Sequence, residues 1–340
     1  MKTELHYFVN SNGCEGFYSL FRSNFGRMQT VLQLGDYPMK TLETVVNAIL
    51  EEAEQNDCQV EIVHNCLDNT VEGLLLPQFS TGIVNIPLYI DYGYPVQKLM
   101  YDDAVEKTRQ HLLRSHQYFC EAKEIHDRWE RIYTENTDYD ALNDFTKEQI
   151  SLLLEGKQGE RRGRVVHRFF GAATENGPVD WIEDLTARIG RRVFIKGRPG
   201  TGKSTFLKKL SDQAVAAGFD TEIYHCAFDP FSLDMVIVRD LDLCVFDSTS
   251  PHEYFPDRET DTVLDFYAAA VREDTDKRFE ETLQTLKKQY QNQMEQACSE
   301  IAEANRIRLE REAVMQGRVR AEKTEEITAK IRNKLFLKKQ

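Results

Sequence analysis

The stretch FIKGRPGTGKSTF, residues 194–206, matches the spacing G-x-x-x-x-G-K-[ST] at Gly197, Gly202, Lys203 and Ser204. A loop that wraps phosphate must turn several backbone N–H groups inward, which needs conformations open mainly to glycine. Gly197, Gly200 and Gly202 supply them, with Arg198, Pro199 and Thr201 between. Lys203 sets a cation against the phosphate oxygens, Ser204 offers a hydroxyl to Mg2+, and Thr205 comes within reach of the α-phosphate. The flanks agree. RVFIK (192–196) reads as an apolar strand, and Phe206, Leu207, Leu210, Ala214 and Val215 share one face of a helix that Gly218 ends. The positive N-terminus of that helix points at the same anions.

Similar surroundings occur earlier in the chain. Gly35 and Gly197 are 162 apart. Gly35 follows the apolar run TVLQL (30–34) and precedes Leu42, Val45, Val46, Ile49, Leu50 and Ala53 at helical spacing. EIVHN (61–65) and EIYHC (222–226) are 161 apart, and TGIVN and DLCVFD end at Asn85 and Asp247, 162 apart. Three elements at nearly constant spacing read as two copies of one strand–loop–helix–strand–strand unit. Alternating strands and helices predict parallel sheets covered on both faces. The expectation is an α/β protein of two tandem P-loop NTPase-type parallel-sheet domains, an internal duplication, each with a helical appendage. Domain one spans 1–155, with its appendage from about 101; the basic run 156–168 reads as a linker; domain two spans 169–340, with its appendage from about 261. In that second appendage Phe279, Leu283, Leu286, Tyr290, Gln293 and Ala297 form a helical seam, read as one side of a hairpin on its own core that turns near Gly317.

The first loop, GDYPMKT (35–41), is one residue short and has no glycine matching Gly200 or Gly202. Asp36 puts a negative charge where phosphate would lie, and Asn85 stands where the second copy has Asp247. Lys40 and Thr41 then read as relics of a site that no longer holds nucleotide.

Asp247 ends a strand and is the expected Mg2+ partner beside Ser204. Asp242 reads as lying inside that strand, with Asp240 and Asp234 before it. Ser248, not glutamate, follows Asp247, which argues against a fast motor-type hydrolase, and no LSGGQ-like stretch is present. Alongside Lys203, the first candidate for the catalytic base is Asp229 in HCAFDPFSLD (225–234), and Asp234 is the second. His225 reads as a strand-end residue and Cys226 as a small buried one. Arg198 can touch phosphate, and Arg239, Arg161, Arg162 and Arg164 are candidate arginine fingers.

The apolar fraction of 41% allows a core in each half, and a net charge of −13 argues against a coat for nucleic acid or anionic membrane. MKTELHYFVN lacks a signal-peptide pattern, and VEGLLLPQFSTGIVNIPLYI (71–90) is broken by Pro77, Gly82 and Pro87. Seven scattered cysteines suit a reduced cytoplasm.

HRFFGAATENGPVDWIEDL (167–185), GRPGTGKST (197–205) and DSTSPHEYFP (247–256) resemble the C-terminal half of an uncharacterised bacterial family of tandem P-loop ATPases. GFYSLFRSN (16–24) and AKEIHDRWERIY (122–133) resemble its N-terminal half. The resemblance implies two P-loop domains, with nucleotide binding carried by residues 197–205 and Asp247. Such proteins commonly keep a glycine-rich loop in the N-terminal half too, and this chain departs from them there. The expected activity is Mg-dependent ATP binding with slow hydrolysis, the N-terminal half serving as a regulatory or structural copy. A small-molecule or nucleotide kinase and a nucleotide-stabilised scaffold are the alternatives. GTP in place of ATP, and a protein partner or second copy of the chain, stay open.

Overall fold

The computed structural model describes residues 4–35, 37–85, 102–317 and 319–337. Asp36, invoked above for its charge, lies outside them. The N-terminal half runs β1 (Glu4–Phe8), β2 (Asn10–Gly13), β3 (Gly16–Ser19), α1 (Phe21–Phe25), β4 (Thr30–Gln33), α2 (Met39–Gln55), β5 (Val60–His64), β6 (Val71–Leu76), β7 (Thr81–Val84), α3 (Asp103–Thr134) and α4 (Tyr139–Leu154). The C-terminal half runs β8 (Val165–Phe169), β9 (Gly171–Thr174), β10 (Gly177–Asp180), α5 (Ile182–Thr186), β11 (Arg191–Lys196), α6 (Lys203–Ala216), β12 (Thr221–His225), β13 (Leu233–Val238) and β14 (Leu243–Asp247). It then adds β15 (Thr262–Asp265), α7 (Phe266–Ala270) and α8 (Thr275–Arg278) before α9 (Glu280–Gln316) and α10 (Ala321–Arg332).

The protein is mixed α/β, and eleven strands form one sheet in the order β15-β11-β14-β13-β12-β8-β1-β5-β6-β7-β4. Two separate parallel sheets were expected. The halves instead join edge to edge, where β1 meets β8 antiparallel through Phe8 and Phe169. β8 begins inside the stretch read as a linker, and β15 inside the stretch read as helical. β2–β3 and β9–β10 form separate antiparallel hairpins, while within each half of the large sheet the strands are parallel except β6 and β13. Each of these is reversed into the next strand by a short 3-10 turn, whose last link, Ser80 or Asp242, is left-handed. Asp242 therefore lies outside β14, its carboxylate accepting from the Gly190 N–H at 2.8 Å, and Asp234 lies within β13.

Strand alternation sorts the core. Val193, Ile195, Val236 and Val245 face α6, while Phe194, Met235, Ile237 and Phe246 face the opposite layer with α1 and α5. That second layer is continuous across the halves, since Tyr7, Val63 and Leu75 share it. The helical appendages are exchanged. α4 puts Leu142, Ile150, Leu153 and Leu154 into the α6 core, and α10 puts Ile331 into the α2 core. α3 and α9 run antiparallel along each other: Tyr290 lies beside His126, Glu300 binds Arg114, and Arg311 binds Asp102. The predicted seam on α9 exists, but its partner is the helix of the other half.

Polar contacts recur with the same spacing. His6 Nδ1 lies 2.9 Å from His64 Nε2 and His167 Nδ1 lies 2.8 Å from His225 Nε2, each pair 58 residues apart. At the junction Arg168, 2% exposed, binds Glu61 at 2.6 Å and Glu222 at 3.1 Å, with its guanidinium 4.0 Å from the centre of the Tyr7 ring. Among the described residues no helix is long and apolar enough to cross a membrane.

Candidate functional site

β11 and β14 are adjacent and parallel, so their carboxyl ends bring the glycine-rich loop and Asp247 together at one edge of the sheet. Gly200 and Gly202 have φ of +79° and +89°, a region that side chains with a Cβ rarely enter. Both positions are also crowded. A Cβ on Gly200 would lie 2.6 Å from the Glu130 carbonyl oxygen, and one on Gly202 would lie 2.9 Å from Leu142. Helices of the N-terminal half thus close the outside of the loop.

The loop is tied internally. Thr201 Oγ1 and Lys203 Nζ each donate to the Arg198 carbonyl at 2.8 Å. Lys203 Nζ also lies 3.5 Å from Asp247 Oδ2, and Thr249 donates to Asp247 Oδ1 at 2.7 Å. The Ser204 hydroxyl accepts from the Leu233 N–H at 2.8 Å, fixing the start of α6 to β13. Arg198 turns outward to Asp276 at 2.8 Å, away from the loop interior.

A cavity of about 390 Å³ opens over the loop, within the size range of small-molecule sites. Pro199, Gly200, Thr201, Gly202, Lys203, Ser204 and Thr205 line it, together with Asp229, Asp234 and Asp247. Gly197 and Arg198 do not. Opposite stand His126 and Glu130 of α3 and Tyr290 and Met294 of α9. Burial, then the charge on Asp247, pushes the Asp234 carboxyl up to about 6. Burial, then the Lys123 ammonium, pushes His126 down to about 4. Burial also raises Glu130, outweighing the downward pull of Lys123 and Lys203.

Asp229 lines the cavity but is engaged in its own turn. Its Oδ1 accepts from Phe231 N at 3.1 Å and its Oδ2 lies 3.8 Å from Lys123. Asp68, 161 residues earlier, makes the same turn bond, to Thr70 N, and pairs with Arg308 of α9. Ser248 is buried and exchanges hydrogen bonds with the Tyr254 backbone. Two finger candidates, Arg161 and Arg164, grip Asp220, and Arg239 grips Glu222. None of these arginines, nor Arg162, lines the cavity.

The sequence assigns His126 and Glu130 no site role, although both fall in AKEIHDRWERIY (122–133), one of the stretches that carry the resemblance. They sit in a charged helix far upstream of the loop, where acidic and basic side chains usually mean only a solvated face. With Asp127 they bring ligand-type atoms within 4.8 Å of one another, although Lys123 already pairs with Asp127.

At the first loop, α2 begins at Met39, four residues after Gly35, whereas α6 begins at Lys203, six residues after Gly197. Glu312 of α9 accepts from Met39 N at 3.1 Å, and Asn85 donates to the Tyr37 carbonyl at 3.3 Å. A carboxylate of the protein itself holds the helix N-terminus there. No protein-family model matches the chain, and no curated protein and no solved structure is significantly similar to it.

Proposed function

We propose that the C-terminal half binds a Mg-nucleoside triphosphate, ATP by default, and hydrolyses it slowly. The observation that carries this reading is the loop itself: two left-handed glycines, Lys203 at the start of α6 and Asp247 3.5 Å from it. Ser204 and Asp247 offer the hard oxygen donors that Mg2+ takes, and the ion when bound would neutralise charge on the phosphate oxygens. Lys203 would leave the Arg198 carbonyl for the β/γ oxygens.

The N-terminal half reads as a duplicated copy whose site has closed. Matching element order, the two histidine pairs and the two turn aspartates support duplication. The Glu312 contact and the lost glycines support closure. The resemblance of GRPGTGKST and DSTSPHEYFP to tandem P-loop ATPases is in keeping with duplication, while the closed first loop is where this chain departs from them. Because helices of one half close the loop of the other, nucleotide would change the fit between the halves, and we read the protein as a slow switch.

A second reading, transfer of the γ-phosphoryl group to a small acceptor, draws on the cavity walls beyond the loop at Pro178, His252 and Met294. Thermal melting with Mg-ATP and Mg-GTP tests the main reading. Ligand at about 100 times its Kd stabilises by about 2.7 kcal/mol, and Lys203→Ala should lose the shift. Shift without turnover would favour the scaffold, and turnover that needs an added acceptor would favour the kinase. No shift with either nucleotide contradicts the proposal.

A further inference from the structure

We propose that Glu130, on α3 of the N-terminal half, is the general base of the C-terminal nucleotide site. The inference rests on the nucleotide reading above and looks beyond that half's own candidates, of which Asp234 lines the same cavity but is buried against Cys226 and beside the negative charge of Asp247. Ser248 occupies the position after Asp247 and is buried with its hydroxyl engaged. Asp229 is occupied as a turn former, a task its counterpart Asp68 repeats where no nucleotide loop remains.

Glu130 reaches the site from the other side. It lines the same cavity as Lys203, Ser204 and Asp247, and its backbone carbonyl lies against Gly200. Its Oε1 is 3.7 Å from His126 Nδ1, a buried nitrogen without a hydrogen-bond partner among the described residues. The pseudo-symmetric helix shows what this position can do. Glu312 holds the equivalent place on α9, and its carboxylate reaches the N-terminus of α2 at Met39 N. The next contact keeps the same offset in numbering. Leu142 lies over Gly202, and its equivalent, Thr324, lies 3.4 Å from Thr41. One helix position thus lies against each loop, through the Glu312 carboxylate in one half and through the Glu130 backbone carbonyl in the other, where Glu130 also lines the cavity. In the closed copy the carboxylate takes the place of an anion. In the open copy Glu130 faces a cavity with room for phosphate and water.

In the hydrolytic step the Glu130 carboxylate accepts a proton from water as the water oxygen bonds to the γ-phosphorus. The bond from that phosphorus to the β,γ-bridging oxygen breaks, and its electron pair leaves with the nucleoside diphosphate. Inorganic phosphate is the second product, and Glu130 returns its proton to solvent. Raised by burial yet drawn down by Lys123 and Lys203, the carboxyl is tuned towards the basicity a general base needs.

The test uses the full chain and the variant Glu130→Gln, which keeps size and removes the base. Mg-ATP affinity should stay within about twofold and the melting temperature should hold, while turnover falls about 100-fold or more. Binding of Mg-ADP with aluminium fluoride, which mimics the transferring phosphoryl group, should weaken relative to Mg-ATP. Glu312→Gln should leave turnover unchanged. Turnover by Glu130→Gln at the wild-type rate overturns the inference alone. Joint loss of binding and melting temperature makes Glu130 structural and overturns it too. Wild-type binding without turnover leaves nothing for a base to do and also overturns it. Absence of binding by the wild type removes the nucleotide reading itself.

Discussion

Lys203 Nζ lies 3.5 Å from Asp247 Oδ2 and 2.8 Å from the Arg198 carbonyl oxygen. The ammonium is buried between these oxygens, one of which belongs to the acid proposed to face Mg2+. On the proposed reading, nucleotide binding exchanges these partners: Lys203 to phosphate, Asp247 to the ion. Asp247→Asn should cut Mg-nucleotide affinity at least about tenfold while leaving the much weaker Mg-free affinity in place. Titrations with and without Mg2+ check this. Equal losses in both would mean that Asp247 acts by holding Lys203 rather than by holding the ion.

Arg168 bridges Glu61 and Glu222 where the two halves meet. Arg168→Met leaves two buried carboxylates with one arginine each, Arg27 at Glu61 and Arg239 at Glu222. Removing one side of a buried ion pair costs about 3–5 kcal/mol, and the low end applies here because those arginines remain. Denaturant unfolding should show that loss. Adding Glu61→Gln should recover part of it, since the uncompensated charge is the cause.

Stability should fall on the acid side of neutrality. His64 and His225 are each pushed down to about 4, burial being the main cause, so the unfolded chain takes up their protons first as pH drops below about 6.5. For His64 the full shift is about 3 kcal/mol, expressed progressively between those two values. Glu222 works lower. Burial would raise it, but Arg168 and Arg239 outweigh burial and depress it, so its contribution is present above its unfolded value and lost as pH falls through the folded one. Melting temperature should drop from about pH 7.5 to about pH 5, and His64→Gln should flatten that drop. A flat profile in the wild type contradicts the assignment.

Glu312→Ala should cost about 1 kcal/mol, the scale of a helix N-terminal acceptor, because it strips the carboxylate from Met39 N. Nucleotide binding by the C-terminal half should not change. A variant that instead gained a second binding site would show that Glu312 alone keeps the first loop closed.

The strand, loop and helix of residues 191–216 are legible in the sequence because an apolar run, three glycines and an amphipathic helix follow one another without interruption. The recurring spacing of EIVHN and EIYHC marks β5 and β12, which take corresponding places on either side of the β8–β1 junction. β8 is hidden, since VVHRF continues the basic run RRGR and reads as a linker. β13 merges with β14 in the sequence, because only RDLD separates VIV from LCVFD and no glycine or proline marks the turn. The exchange of α4 and α10 leaves no trace at all. An apolar face such as Leu142, Ile150 and Leu153 says that a helix is covered, not which core covers it. Glu130 belongs to this last group, since only the three-dimensional exchange brings it to the loop.

Calorimetric titration of the full chain with Mg-ATP, repeated on Lys203→Ala, addresses the central claim most directly. The account predicts one site per chain in the wild type and none in the variant. Two sites, with one surviving in the variant, would show that the GDYPMKT loop still binds nucleotide, and no binding in the wild type would contradict the nucleotide site altogether.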